Sequence, residues 1–508
     1  MNTCSAVIIS VICCVLFSCS ASLKNYSPQK KYPQEVLKKD YRLLQSILEK
    51  KHPSLYWYTS KDSLDAYFAK YYQAIPDSMT EQQFAWHILA PLTDKIHCGH
   101  TSVSLSKGYA KWVEGKKFGS FPLFMKIWND TMAVTANLNR NDSIFKRGTL
   151  VTSVNGLPAQ TLINTFFDHL PEDGYANNIN YIRISGNFPY FHRNIFGLSK
   201  EYKVTYIDSL GNTQTATIPA YAPPKDTTRK DSLKRTVKVK PAKQKLPKEN
   251  RLNQYRTLKI DSSGKYAVMT VNTFSKGRLR TFFRRSFREL KEKNINHLVL
   301  DIRSNGGGHV MLSTLLTKYI SRKRFRVADS LYAVSGKLGP YTKYIKGKWL
   351  NNIELKFIAR KKTDGQYHIG HLERKWFNPK KKNHYNGDVY VLTNGPTFSA
   401  AALFANAVKG QEGVLLLGEE TGGGWHGNDG IMIPEIILPN TKVRIRLPLF
   451  RLVQFNHPPK TGTGIIPDVY IGTSYDALKK GYDKKMQVVK EMIMEKENKL
   501  LINNALCY

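Results

Sequence analysis

Leu298-Val299-Leu300-Asp301-Ile302-Arg303-Ser304-Asn305-Gly306-Gly307-Gly308 decides the fold of this chain. An apolar strand enters an Asp-x-Arg-x-Asn-Gly-Gly loop, and a helix-like segment follows from His309. The pattern recurs as Val389-Tyr390-Val391-Leu392-Thr393-Asn394, then Gly395-Pro396-Thr397-Phe398-Ser399-Ala400-Ala401. Glycine permits positive φ and close backbone approach. Backbone N–H groups at such a corner, and at a helix start, can stabilise a developing oxyanion. Ser399 stands at the second corner with two roles open to it, an N-cap or a nucleophile. The glycine corner favours the nucleophile.

Outward from these corners, the alternation of strands and helices implies an α/β core. Expected elements are strand 266–271, helix 280–293, strand 297–302, helix 310–321, strand 389–393, helix 399–409 and strand 413–417, with an insertion over 325–385. Upstream, Val36, Leu37, Tyr41, Leu44 and Leu48 recur at helical spacing. Further helical runs cover Leu64 to Ile75 and Phe84 to Leu92, leading to His97-Cys98-Gly99-His100-Thr101. Residues 119–221 alternate as strands around Arg147–Gly156, with a helix from Leu162 to Leu170 and a closing strand Tyr202–Tyr206.

The corners resemble the core of the tail-specific, or C-terminal processing, peptidases, a family of serine peptidases. Its Asp-Leu-Arg-x-Asn-Pro-Gly-Gly motif is matched by Asp301 to Gly308, and its nucleophile motif by Asn394 to Ala402. Gly418-Glu419-Glu420-Thr421-Gly422-Gly423 and Gly462-Thr463-Gly464-Ile465-Ile466-Pro467-Asp468 resemble two further motifs, in the family's order. The resemblance implies a crotonase-like or ClpP-like spiral core, with Ser399 as nucleophile and the N–H groups of Gly307 and Ala400 as the oxyanion hole. Residues 147–156 and the helix after them resemble a PDZ domain, a fold that takes peptides by strand addition.

A Ser hydroxyl needs a base. The family's bacterial members place a Lys where this chain has Gly424. The tricorn-like branch instead uses a His from the preceding region, and Gly99-His100-Thr101 resembles that motif, with Gly99 where the branch has Ser. His100 is therefore the expected base, its ordinary pKa suiting the task. His426 and His309 are alternative bases. The branch's orienting Glu is replaced by Thr461, which leaves Glu419, Glu420 or Thr461 as candidates for that role. His97-Cys98-x-His100 is too tight for usual zinc spacings, so no metal is expected, and no cofactor is implied.

The 508 residues exceed one ordinary core. The expected division is a leader 1–19, a helical region 20–110, the PDZ-like domain 111–221, a basic linker 222–255, the peptidase-like core 256–475 and a C-terminal helix 476–508 that packs on the outside. In the leader, an apolar run to Phe17 and Leu16-Phe17-Ser18-Cys19 resemble a bacterial lipobox with Cys19 lipidated; an ordinary signal peptide is the alternative. Either exports the chain, and a lipid anchor in the outer membrane facing the periplasm is the expectation. Cys98 and Cys507 are the cysteines left for the body, and spacing leaves their pairing open. The net charge of +38 includes eleven Lys or Arg against three acids between Lys225 and Arg251. No nucleic-acid motif accompanies it, so nucleic acid is not an expected partner. The reading is a serine endopeptidase acting on envelope polypeptides. The alternatives are a catalytically inactive peptide- or ligand-binding protein on the same fold and an adaptor for anionic polymers.

Overall fold

The computed structural model describes residues 26–223, 248–346, 355 and 358–506. The leader with Cys19, most of the basic linker, and Cys507 lie outside the described residues. At the end of the expected linker, Lys248–Asn253 forms a short helix.

A six-stranded sheet forms the centre. Its order is Arg256–Ile260, Tyr266–Val271, His297–Asp301, Asp388–Thr393, Val414–Gly418, Val469–Tyr470, with the first pair antiparallel and the rest parallel. Parallel strands are covered on both faces and read as unbroken apolar runs, and His297 to Leu300 are all buried. One face carries Leu279–Glu292, Val310–Ile320 and Ala400–Val408 around Phe283, Phe287, Leu316 and Phe404.

The opposite face is covered by the C-terminal segment. The C-terminal segment is two helices, Tyr475–Lys480 and Lys484–Leu506, separated at Gly481, whose φ is +78°. The longer one buries Val489 and Ile493 against Val299, Leu392 and Leu417 and forms an outer, third layer.

The insertion contributes to a second sheet. Ala328–Ala333 pairs with Tyr367–His368 on one side and Phe450–Gln454 on the other, and Gly427–Ile431 closes that edge. The N-terminal helices pack here. Gln34–Lys51 buries Leu37, Tyr41, Leu44 and Leu48 in one cluster with Leu331, Ile436 and Phe450. Asp40 on that helix accepts from Thr441 N–H at 2.8 Å and Thr441 Oγ1 at 2.7 Å. The strand Ser102–Ser104 then joins Arg444–Arg446 antiparallel, which fixes the preceding loop against the core.

Residues 119–221 form an antiparallel sheet ordered Leu123–Trp128, Thr131–Asn137, Leu150–Val154, Glu201–Ile207, Thr213–Pro219. The helix Ala159–Phe167 packs on it through Leu162, Ile163 and Phe166. Two further helices, Asn178–Gly186 and Phe188–Phe196, follow a loop that reaches toward the central sheet.

Candidate active site

Asp301 and Leu392 are paired in neighbouring parallel strands, so both corners leave the same end of the sheet. They are tied together: Phe398 N–H donates to Asn305 O at 3.0 Å, and Thr397 Oγ1 donates to Ile302 O at 3.0 Å. Arg303 forks onto Asp301 (2.7 Å) and Asp483 (2.8 Å), bracing the first corner from behind.

Ser399 has φ +54° and ψ −121°, and its side chain makes no capping bond to the helix it precedes. A capping Ser would be extended and bonded. A non-glycine residue in this region costs of order 1–3 kcal/mol. Ser399 therefore does not act as a capping residue, and its side chain is not engaged by the helix it precedes.

Gly307 packs directly beneath it. A Cβ there would fall 2.7 Å from Ser399 Cβ and 3.0 Å from Ala400 N, and φ is +94°, so only glycine fits. Among the described residues, the Ala400 N–H donates to no other group. The Gly307 N–H does: it donates to the buried Asn305 carboxamide oxygen at 2.9 Å. Of the two expected oxyanion donors, one stands free and one is engaged.

His100 arrives from the N-terminal region. Its ring lies 4.7 Å from the Phe398 ring, centroid to centroid. Gly430 shows where it points: a Cβ on that glycine would sit 2.8 Å from Ser399 Oγ and 3.1 Å from His100 Nε2. Hydroxyl and imidazole converge on one small space that glycine leaves open. Gly99, standing where the tricorn-like pattern has Ser, is also sterically required, because a Cβ would meet the Phe398 ring at 2.7 Å.

The far nitrogen of the imidazole faces a residue the sequence did not single out. His100 Nδ1 is 3.7 Å from Asp173 Oδ1, with both side chains 4% exposed. Asp173 lies on the loop after the Ala159–Phe167 helix. It accepts from Gly99 N–H at 2.9 Å and from Gly424 N–H at 3.4 Å. Pro171-Glu172-Asp173-Gly174 has only the composition of a turn, and the contact spans 73 residues, so no local signal marks it.

The residues proposed to orient or replace His100 are committed elsewhere. Glu419 is buried and ion-paired with Lys485 at 2.5 Å. Glu420 accepts from Gly464 N–H at 2.6 Å, and burial raises its pKa. Thr461 meets Thr463 at the surface, Oγ1 to Oγ1 2.7 Å. His426 uses Nδ1 on Pro458 O at 2.7 Å and packs on Trp57, its pKa lowered by burial. His309 is exposed at the start of Val310–Ile320. At Gly424 a Cβ would meet Gly427 O at 2.8 Å, so the family's Lys has no room there.

Behind Gly99 lies a buried network. Cys98 Sγ donates to Asp429 Oδ2 at 3.1 Å, and burial pushes its thiol well above the usual range, which makes a thiolate nucleophile untenable. His52, Cys98 and Asp429 bring ligand-type atoms within 4.8 Å of one another. They are already satisfied: Ser54 N–H donates to His52 Nδ1, Thr101 meets Nε2, and Ser54 Oγ donates to Asp429. The Arg451 guanidinium also stands 3.6 Å from Asp429, where a cation would be repelled. His97 turns away to Glu172 at 3.1 Å, so His97, Cys98 and His100 do not converge.

Residues 265–471 match the profile of peptidase family S41. The match covers the core of this chain, less than half of its length, and supports a serine peptidase. Solved structures agree in fold: mature CPAF has a TM-score of 0.61 at 14% identity, over 93% of this chain and 98% of that one. The mature CPAF complex with lactacystin gives 0.59 at 13%, over 93% and 99%. No curated protein sequence matches the chain.

Proposed function

We propose that this S41 peptidase cleaves polypeptides through Ser399 with His100 as general base. The observation that carries the reading is the convergence of Ser399 Oγ and His100 Nε2 on the space beside Gly430. Oγ attacks the scissile carbonyl carbon and its proton passes to Nε2. The C–N bond breaks as Nε2 returns that proton to the leaving amine, and water hydrolyses the acyl-enzyme by the same route. The Ala400 N–H stabilises the oxyanion. Gly307 joins it on exchanging Asn305 Oδ1 for the oxyanion. A His base on Ser would be in keeping with the tricorn-like branch. The central sheet with its flanking helices is consistent with a crotonase-like or ClpP-like core, and the β-rich domain with a PDZ-like module that presents peptide ends.

The lipobox-like Leu16–Cys19 supports an exported, lipid-anchored protein with envelope polypeptides as substrates. Among the described residues no helix is long and apolar enough to cross a membrane. Full-length chain in detergent, incubated with an unfolded protein substrate, should release new termini. Ser399→Ala and His100→Ala should abolish release; retained cleavage in Ser399→Ala would contradict the assignment.

The engaged Gly307 N–H favours a second reading, a peptide-binding protein that does not hydrolyse what it holds. Peptide binding by a chain with no cleavage would support it.

A further inference from the structure

We propose that Asp173 is the positioning residue for His100, so that the β-rich domain supplies the third member of the catalytic group. This rests on the Ser399–His100 reading above. His100 Nδ1 is buried and donates to nothing among the described residues. An unpartnered buried donor costs about 1–3 kcal/mol. The carboxylate facing it is Asp173, at 3.7 Å. A movement of about 1 Å closes this to an ordinary bond, and such contacts are long in free enzymes and tighten with substrate bound.

Asp173 is built to be held there. Gly99 and Gly424 each give it a backbone N–H. The next two residues are pinned as well: Gly174 N–H donates to His97 O at 2.9 Å, and Tyr175 N–H to Gly462 O at 2.7 Å. A Cβ on Gly174 would fall 2.3 Å from Gly462 O, so glycine is required for the loop to dock this closely. The loop thus touches the His100 segment, the 424 turn and the Gly462 turn at once. A carboxylate on Nδ1–H sets the tautomer that leaves Nε2 free to take the Ser399 proton, and stabilises the imidazolium that results.

The charged groups acting on Asp173 are the Arg183 and Arg451 guanidiniums. Cys98 and Tyr58 are the neutral titratable groups that feel it. Asp429 is turned to Cys98, Ser54 and Arg451, and Glu172 to His97 and Asn180, so neither competes for Nδ1.

The test is the rate of fluorophosphonate labelling of Ser399 against pH, on full-length chain in detergent. Wild type, Asp173→Asn, His100→Ala and the double variant are compared. Asp173→Asn should label at least about a hundredfold more slowly at pH 7. Its profile midpoint should move to lower pH, because the imidazolium loses its carboxylate. In the His100→Ala background the same substitution should add no further loss, which a purely structural role would not produce. Wild-type rate and midpoint in Asp173→Asn, or losses that multiply in the double variant, would overturn the proposal. Absence of any wild-type adduct would instead overturn the Ser–His reading beneath it. Should Asp173→Asn not fold, proton NMR of the phosphonylated wild-type chain decides. A far-downfield Nδ1 proton that persists in phosphonylated His297→Gln and is absent from the unlabelled His100→Ala chain supports the proposal; its absence overturns it.

Discussion

The Phe398 ring lies 4.7 Å from the His100 ring at an interplanar angle of 32°, so the residue before the nucleophile forms a wall for the base. One side chain sits in the family core and the other in the N-terminal region. The proposed Ser399–His100 pair is thus aligned by packing. Gly99 and Gly430 on either side leave the room this requires.

Gly430→Ala places a methyl group where Ser399 Oγ and His100 Nε2 meet, at 2.8 and 3.1 Å. The backbone there needs no glycine conformation, since its φ is not positive. The methyl also falls 2.8 Å from Asn428 Oδ1, so stability should fall somewhat, while peptide cleavage falls by about two orders of magnitude or more, the range a displaced catalytic group costs. Steady-state cleavage alongside thermal unfolding checks it; unchanged cleavage would show that the space is not used.

Gly424→Lys restores the residue carried by the family's bacterial members but should not restore their dyad. Its Cβ would meet Gly427 O at 2.8 Å and Asp173 Cβ at 3.3 Å. The expected result is lost cleavage in a His100→Ala background as well as in wild type. Recovered cleavage in that background would show that the turn can yield.

Glu419 is a structural residue by its contacts. Lys485→Met leaves its buried carboxylate unpaired and should destabilise the fold by about 3–5 kcal/mol. Replacing both, as Glu419→Leu with Lys485→Met, should recover most of that loss. Chemical denaturation of the three variants measures the cycle, and cleavage by the folded double variant should stay within a few fold of wild type.

Acid should weaken the fold through His52. Burial lowers its pKa from 6.5 to about 4 in the folded chain. The unfolded chain therefore binds the proton first. The stabilisation is complete above pH 6.5 and is lost as pH falls from there toward 4, roughly 3 kcal/mol in all. Denaturant midpoints from pH 7 to 4 should fall less steeply in His52→Gln than in wild type.

What the sequence made legible follows local chemistry. Residues 297–302 and 389–393 are unbroken apolar runs because they are central parallel strands, and their bounds are met to within a residue or two. Ser399 and Gly307 were recognisable because a tight corner needs particular residue types. Asp173 was not, because its role comes from a loop docking across 73 residues and is written in no spacing. Glu419 and Glu420 looked available only because sequence cannot show that Lys485 and Gly464 N–H already hold them. The inward contacts of the third layer were not legible for a similar reason. The Lys484–Leu506 helix is polar overall, and only its partners reveal that Val489 and Ile493 face the sheet.

The most direct test of the Ser399–His100 assignment is a fluorophosphonate adduct mapped by mass spectrometry on folded, full-length chain. One adduct is expected, on Ser399, lost in Ser399→Ala and in His100→Ala. A folded chain that carries no adduct on Ser399, or that labels equally well without His100, would contradict it.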